Sequence, residues 1–304
     1  MDIAIIIVNW NTRDILGQCL QSVFASQTAK QFEVWVVDNG SSDGSKQMIK
    51  DSYPRTRLIS NCDNVGFARA NNQAVELSSG DYVMLLNPDT MVEKDVIEIL
   101  ANYLDENPEI GAVGPRLLNP DGTLQESAYP EPTLVREFWR MFHLDRFYYY
   151  AEYPMDSWSE KEAKEVDVLM GACLLIRRKA LDQVGLLDEE FFVYSEEVDL
   201  CTRIRNYGWR ISWLPTVKVV HLGGQSTQQV QQEMFLQLYQ GKIQYFRKHH
   251  SAMEVWLYKF VLFLATLVRI VLTPFAYLER STQKSKHLEL SSNYRRLLLS
   301  LPNF

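Results

Sequence analysis

Short apolar runs alternate with stretches of helical spacing along the first third of the chain. Ile3–Val8 is an unbroken apolar run rich in β-branched residues, which predicts a strand buried on both faces. Ile15, Leu16, Cys19, Leu20, Val23 and Phe24 then recur three and four residues apart, the period of one helix face. Phe32–Val37, Leu58–Ser60 and Tyr82–Leu86 predict three further strands, and Phe67–Leu77 and Val96–Leu104 two further helices. Strands alternating with helices predict βαβ units around a mostly parallel sheet. Ligands of such sheets collect beyond the carboxyl ends of the strands, which singles out Asn9–Asn11, Asp38–Asp43 and Asn87–Thr90.

The pattern changes at Pro115. From there to Lys164 the chain is proline-rich, carries a Pro-Asp-Gly turn at 120–122 and an aromatic stretch from Phe138 to Tyr153, and reads as an irregular insertion. Val166–Ile176 returns to strand character, Lys179–Val184 and Glu196–Asn206 to helix, and Arg210–Leu214 and Val217–His221 predict two strands. A polar helix over 228–249 follows. The segment 255–278 is apolar except at Lys259, Thr266, Arg269, Thr273 and Pro274, and all of these but the proline share one narrow helical stripe. Two inner charges disfavour a membrane span. A helix lying in a membrane interface fits better, with Trp256, Tyr258 and Arg295-Arg296 suited to that setting; packing on the main domain or on a second subunit is the alternative. The organisation predicted is a domain over 1–249, in halves 1–110 and 111–249, and a helical segment over 250–304.

Composition narrows the classes. With 46% hydrophobic and 23% charged residues in 304, the chain is that of a folded protein, and a net charge of -7 gives no chain-wide footprint for nucleic acid. Cys19, Cys62, Cys173 and Cys201 form no C-x-x-C pair and read as reduced thiols in a cytoplasmic setting. The first residues lack the basic leader and cleavage site of a signal peptide and read as a strand. Oligomeric state is not legible.

Four places carry candidate chemistry. Asp38 ends a strand and opens a Gly/Ser-rich turn, where a carboxylate can accept from a pyrimidine N–H or a ribose hydroxyl; Asp43, later in the turn, reads as a helix cap. Asp89, after Asn87-Pro88, sits where a magnesium or manganese ion could use one carboxylate and take substrate phosphates as further ligands. In Asp188–Asp199, acidic residues are interleaved with Phe191, Phe192 and Tyr194, unlike a solvated charge run. Glu196 or Glu197 could there be a general base in a partly apolar setting, or simply an acidic residue favoured by a helix start. His221 ends a strand before Gly223-Gly224, a credible metal-ligand position.

Taken in order, these pieces resemble family 2 glycosyltransferases, and within them the rhamnosyltransferase-like branch that elongates bacterial surface polysaccharides. The motifs are Val8-Asn9-Trp10-Asn11, Val37–Asp43, Asn64–Asn72, Leu85–Asp89 and Glu196–Arg203 before His221, spread over Ile3–Thr227. The resemblance implies an α/β GT-A (Rossmann-like) fold and an inverting transfer from a nucleotide-diphosphate sugar, dTDP- or UDP-linked, to a glycan or lipid-linked acceptor. It implies donor contacts from Val8, Asn11, Asp38, Asn64, Gly66, Asn72, Asn87 and Asp89. It further implies a divalent metal, Mn2+ or Mg2+, at Asp89 and His221, and a base at Glu197 beside Glu196. Asn87 stands at the first position of the family's D-x-D element, Glu197 where the family usually has Asp, and Asn71 where many members have Arg. The expected setting is cytoplasmic, peripheral on the inner face of the membrane through 255–278. The rival readings are a non-catalytic glycan-binding or assembly member and a sugar-nucleotide nucleotidyltransferase. The latter wants a basic Gly-rich loop after the first strand, where Asn9–Thr12 stand instead, and a dehydrogenase would need the absent G-x-G-x-x-G.

Overall fold

The Ile/Val run at the amino terminus forms β1 (Ile3–Asn9), and every residue of it is buried. A strand with no polar face must be covered on both sides, so it becomes a central strand. β2 (Phe32–Asn39) and β4 (Tyr82–Leu86) flank it in parallel, and β3 (Arg57–Asn61) extends the sheet beyond β2. The computed structural model describes residues 1–273 and 281–304. They fall into two compact units, Met1–Glu131 with Pro154–Gln229, and Pro132–Tyr153 with Val230–Phe304.

In the first unit, α1 (Arg13–Phe24), α2 (Ser45–Ser52), α3 (Phe67–Leu77) and α4 (Val96–Glu106) alternate with these strands. On α1 the periodic positions Leu16, Cys19, Leu20 and Val23 are buried, as their spacing predicts. Each fully buried Leu or Val contributes about 1.5–3 kcal/mol relative to exposure. β5 (Thr90–Val92), β6 (Ile110–Leu118) and the two-residue strands β7 (Leu124–Gln125), β8 (Ala128–Tyr129), β9 (Lys164–Glu165) and β10 (Val168–Leu169) follow. Then come β11 (Cys173–Arg177), α6 (Arg178–Val184), α7 (Glu196–Asn206) and β12 (Arg210–His221). The ten-stranded sheet runs β3-β2-β1-β4-β11-β6-β12-β5, with β7 on β6 and β9 on β12; β8 and β10 pair separately. It is mixed: β11 is antiparallel to β4 and β6, whereas β12 is parallel to β6. The two strands predicted between 210 and 221 are one, β12, with its register broken between Leu214 and Lys218 around Pro215. Pro lacks the N–H that a ladder needs, so the strand shifts register there instead of ending.

Strand order places the reversal of winding at β1, between β2 and β4. Their carboxyl ends carry Asn9–Asn11, Asp38–Asn39 and Asn87–Asp89 to one edge of the sheet, the position where open α/β sheets bind ligands.

The second unit holds α5 (Leu134–Met141), α8 (Gln231–His249), α9 (Ala252–Leu272) and α10 (Ser281–Ser300). The insertion read as irregular thus contains a helix. The helix over 231–249 groups with the tail, whereas the sequence reading joined it to the preceding domain. Residues 274–278 of the predicted apolar segment lie outside the described residues. Ser251 starts α9 with a capping box to Glu254. The polar stripe of this helix turns towards protein: Thr266 is buried, Arg269 donates to the Met141 carbonyl (2.7 Å) and lies over the Tyr294 ring, and Thr273 meets Ser291 (2.8 Å). Beneath it, Glu137 is enclosed between Lys242 (2.8 Å) and Arg140, whose cations hold its carboxyl below the ordinary range against the opposing effect of burial.

Candidate active site

The turn after β2 is built on Asp38. Asn9 donates to its Oδ2 (3.0 Å) and the Ser41 N–H to its Oδ1 (3.0 Å), while Lys46 lies 3.9 Å away. The carboxylate has no exposed surface. Sequence reasoning set it against a nucleoside; in the structure one oxygen accepts from Asn9 at the end of β1 and the other from its own turn, so it also holds the turn's shape. The side chain of Asn11, at φ 52°, bonds back to the Ser42 N–H (2.8 Å), and the Asn11 N–H donates to Ser41 Oγ (3.0 Å). Asp43 takes the Arg13 and Ser45 N–H groups (2.8 and 3.0 Å) from the position before Gly44, the residue that caps α2. Val8, on β1, is buried in the sheet.

Asn64, Gly66 and Asn72 form a bracket. The Asn64 side chain accepts from Asn39 (2.6 Å) and from the Gly66 N–H (3.0 Å). Gly66 has φ +89°, and a Cβ there would stand 2.7 Å from the Phe192 carbonyl oxygen, which the Phe67 N–H approaches at 2.6 Å. Asn72 donates to the Leu187 carbonyl (2.8 Å) and accepts from its N–H (3.1 Å). The start of α3 is thereby tied to the acidic–aromatic segment more than a hundred residues later. Gly66→Ala is expected to cost about 3 kcal/mol, because it adds left-handed strain to a backbone clash. Thermal or urea denaturation checks this, and an unchanged midpoint would remove the bracket.

Asp89 and His221 meet because β5 pairs antiparallel with the end of β12, setting Thr90 opposite His221, while the Leu222 N–H donates to the Asp89 carbonyl (2.9 Å). His221 Nε2 is 3.2 Å from Asp89 Oδ1, both side chains are buried, and Asn87 Nδ2 is 3.4 Å from the same nitrogen. Gln125 decides the tautomer. Its Nε2 donates to Asn119 Oδ1 (3.0 Å) and to the His221 carbonyl (3.3 Å), so its Oε1, 2.6 Å from His221 Nδ1, must accept. Nδ1 therefore carries the proton, and the Nε2 lone pair faces a carboxylate oxygen, an arrangement that calls for a cation or a proton between them. Among the described residues there is no group of three or more His, Cys, Asp or Glu side chains that could hold a metal. A carboxylate and an imidazole still fit a divalent ion that takes phosphate oxygens as its other ligands.

The acidic segment ends in two consecutive left-handed residues, Tyr194 (φ 70°) and Ser195 (φ 72°), before α7. Neither is glycine, and such strain persists only where surroundings enforce it. Asp199 receives Arg203 (2.9 and 2.8 Å), which also donates to the carbonyls of Val184, Gly185 and Leu186 and so fixes α7 on the preceding loop. Glu196 and Glu197 each keep one buried oxygen, Oε2, without a hydrogen-bond partner. Burial, then the charge of Glu197, raises the Glu196 carboxyl well above its ordinary range. Burial also raises Glu197, against the pull of the N–H groups at the helix start. Glu197 is the more accessible of the two, being half-buried where Glu196 is 4% exposed.

A carboxyl raised in the folded state binds its proton more tightly there than in the unfolded chain. Its stabilising contribution is present at low pH and is lost as pH rises from the unfolded carboxyl range through the raised folded value. Glu196→Gln should remove that loss and stabilise the protein by about 1 kcal/mol at neutral pH. Unfolding midpoints against pH would show it as a flatter profile, and an unaltered slope counts against a raised Glu196.

These segments converge. The Asn87 N–H donates to the Ala172 carbonyl (2.9 Å), and a side chain on neighbouring Gly171 would touch Glu197 Cβ at 3.5 Å. The loop after β12 reaches three of them: the Gln225 N–H lies 3.4 Å from Asp89 Oδ2, Thr227 bonds Tyr194, and Gln229 Nε2 donates to the Asn11 carbonyl (3.0 Å). Gln125, Gly171 and Gln225 were not found by sequence reasoning, since a glutamine on a two-residue strand carries no local signal, and Tyr194 was noted only as an aromatic among the acidic residues.

The family model described as Glycosyl transferase family 2 matches residues 4–185. An N-acetylglucosaminyl-diphospho-decaprenol L-rhamnosyltransferase of Mycobacterium tuberculosis is 32% identical over 219 residues, 66% of this chain and 69% of the relative. A low-salt glycan biosynthesis hexosyltransferase of Haloferax volcanii is 30% identical over 245 residues, 79% of this chain and 71% of the relative. Among solved structures, a Pyrobaculum calidifontis mannosyltransferase in complex with GDP-Man and Mn2+ superposes with TM-score 0.59 at 17% identity, covering 99% of this chain and 84% of that one. Staphylococcus aureus TarS in complex with UDP-GlcNAc gives 0.55 at 16%, covering 100% and 92%. The fold is GT-A, and the chain belongs to the family 2 glycosyltransferases.

Proposed function

We propose that this enzyme is an inverting transferase that moves a 6-deoxyhexose, L-rhamnose from a dTDP donor, to a lipid-linked glycan on the cytoplasmic side of a membrane. The observation that carries the chemistry is the meeting, in one unit, of the Asp89–His221 pair with two carboxylates that each hold an unpartnered buried oxygen. The likeness to a rhamnosyltransferase supports the donor and the lipid-linked acceptor.

Asp89 and His221, with Asn87 beside them, would hold a divalent ion, manganese or magnesium, whose charge offsets that of the departing diphosphate when it is bound. Asn11 and Asn64 line the nucleoside end, with Asp38 shaping the turn beneath them. Val8, Gly66 and Asn72 support the donor side through the sheet and the α3 bracket. An acceptor hydroxyl oxygen attacks the anomeric carbon as the bond from that carbon to the diphosphate oxygen breaks, and the hydroxyl proton passes to Glu197. One displacement inverts the configuration. Burial suits Glu197 to the task because a carboxylate with raised proton affinity is a stronger base near neutral pH. Glu196 is more deeply enclosed, and burial with the neighbouring Glu197 charge raises its carboxyl well above its ordinary range.

Thermal-shift screening of dTDP-, UDP- and GDP-sugars with manganese tests the donor. A transfer assay to a lipid-diphosphate acceptor, with the anomeric configuration of the product read by NMR, tests the reaction. Stabilisation by a dTDP-deoxysugar and an inverted product are expected. A retained configuration, or selective response to another nucleotide, rejects the reading.

A further inference from the structure

All but four of the exposed large apolar side chains among the described residues, the four being Met1, Leu77, Phe192 and Tyr207, lie in the second unit. The charge is divided as sharply. The first unit has 18 Lys and Arg against 31 Asp and Glu, a net of -13, and the second has 13 against 7, a net of +6, which together give the chain's -7. An acidic whole thus contains a basic, apolar part.

Within that part α9 is inside out. Tyr258, Leu262, Ala265 and Thr266 face the other helices, and the polar stripe through Arg269 and Thr273 is on this inner side. The outer side is apolar throughout: Met253, Trp256, Phe260, Leu264, Leu267 and Val271 are all exposed. Those residues span about 27 Å at helical rise. Trp256 and Phe260 stack at the start of the helix (5.7 Å, 1°), and Lys259, between them in sequence, lies near Arg247 of α8. In water such a face would be a continuous apolar strip of a size that soluble monomers rarely expose. α9 is long and apolar enough to cross a membrane. Its inner side, however, packs on α8 and α10, which carry Glu233, Arg247, Glu289, Arg295 and Arg296 and could not follow it through hydrocarbon.

We propose that α9 lies along an anionic lipid bilayer, its outer face sunk into the headgroup–acyl boundary and the cations of the second unit set against lipid phosphates. Charge selects the occupant: a unit of net +6 repels a second copy of itself and is drawn to acidic lipid, while an interfacial tryptophan and a charge-free outer face match the depth of that boundary. This surface does not depend on the donor chemistry, and its test reads binding alone.

The full chain, freed of detergent, should co-float with vesicles of phosphatidylglycerol and phosphatidylcholine and float poorly with phosphatidylcholine alone. Binding should weaken as salt rises. Brominated lipid should quench tryptophan fluorescence, and Trp256→Phe should abolish the quenched component. The triple variant Phe263→Asp, Leu267→Asp, Val271→Asp changes exposed positions only. It should keep its circular dichroism and lose more than about tenfold of vesicle binding. Arg247→Gln with Lys259→Gln should weaken binding to the anionic vesicles about fivefold or more. Three results overturn the proposal: a folded chain that ignores anionic vesicles, a triple variant that binds them unchanged, or a dimer that the triple variant dissociates without any lipid binding in the parent. Loss of transferase activity with vesicle binding intact would strike the catalytic reading and leave this one standing.

Discussion

Glu197→Gln is expected to lower turnover by about 10²–10⁴-fold while leaving nucleotide-sugar affinity close to that of the parent. The amide keeps the shape of the side chain beside Gly171 but cannot take the acceptor's proton. The parallel Glu196→Gln change should be far milder, since that carboxyl lies deeper in the protein. Turnover measured with saturating donor, together with calorimetric donor affinity, separates the two. If Glu196→Gln were the inactive variant and Glu197→Gln the active one, the assignment would be reversed. The parent's rate should also fall as pH drops through a value above that of an ordinary glutamate, because the base works only when deprotonated and its carboxyl is raised by burial.

Asp89→Ala should abolish the part of donor affinity that depends on manganese, a loss of about 100-fold or more. The variant leaves His221 with a lone pair and no carboxylate to share a cation. Gln125→Ala is a finer probe of the same place. It removes the acceptor that holds the proton on His221 Nδ1 and should weaken metal-dependent binding by roughly 10–100-fold without touching any ligand. Because the described residues offer a carboxylate–imidazole pair there and no group of three or more such ligands, manganese alone should bind weakly and tighten once a nucleoside diphosphate is present. Calorimetry with metal, with nucleotide and with both distinguishes these cases. Equal affinity of parent and Asp89→Ala for donor plus manganese would remove Asp89 from the site.

Much of the fold was legible because its signals are local. The Ile3–Val8 run, the α1 spacing and the turn chemistry after β2 each require only neighbours in sequence. The candidate site residues could be named for the same reason, each standing at a strand end or helix start. What sequence could not supply was the partnering. Asp38 stands at a strand end, but its neighbours in sequence do not show that Asn9, at the end of β1, also donates to it beside Ser41 of its own turn. Asn72, named as a donor contact, also bonds the Leu187 backbone more than a hundred residues away. The stripe on α9 was read correctly as a stripe, but whether it met protein or water depended on helices distant in the chain. Pairing across a sheet or between helices is set by topology, and a residue's own neighbours do not encode it.

The bracket from Asn64, Gly66 and Asn72 to the 187–192 segment has a consequence for recombination. Hybrids that take the amino-terminal half from one relative and the acidic segment from another would have to reproduce the Gly66–Phe192 approach and the paired Asn72–Leu187 bonds at the seam. Grafts that exchange both pieces together should assemble, whereas those that swap either alone should yield insoluble or inert product. Nucleotide preference and proton-acceptor geometry would then be inherited as one block.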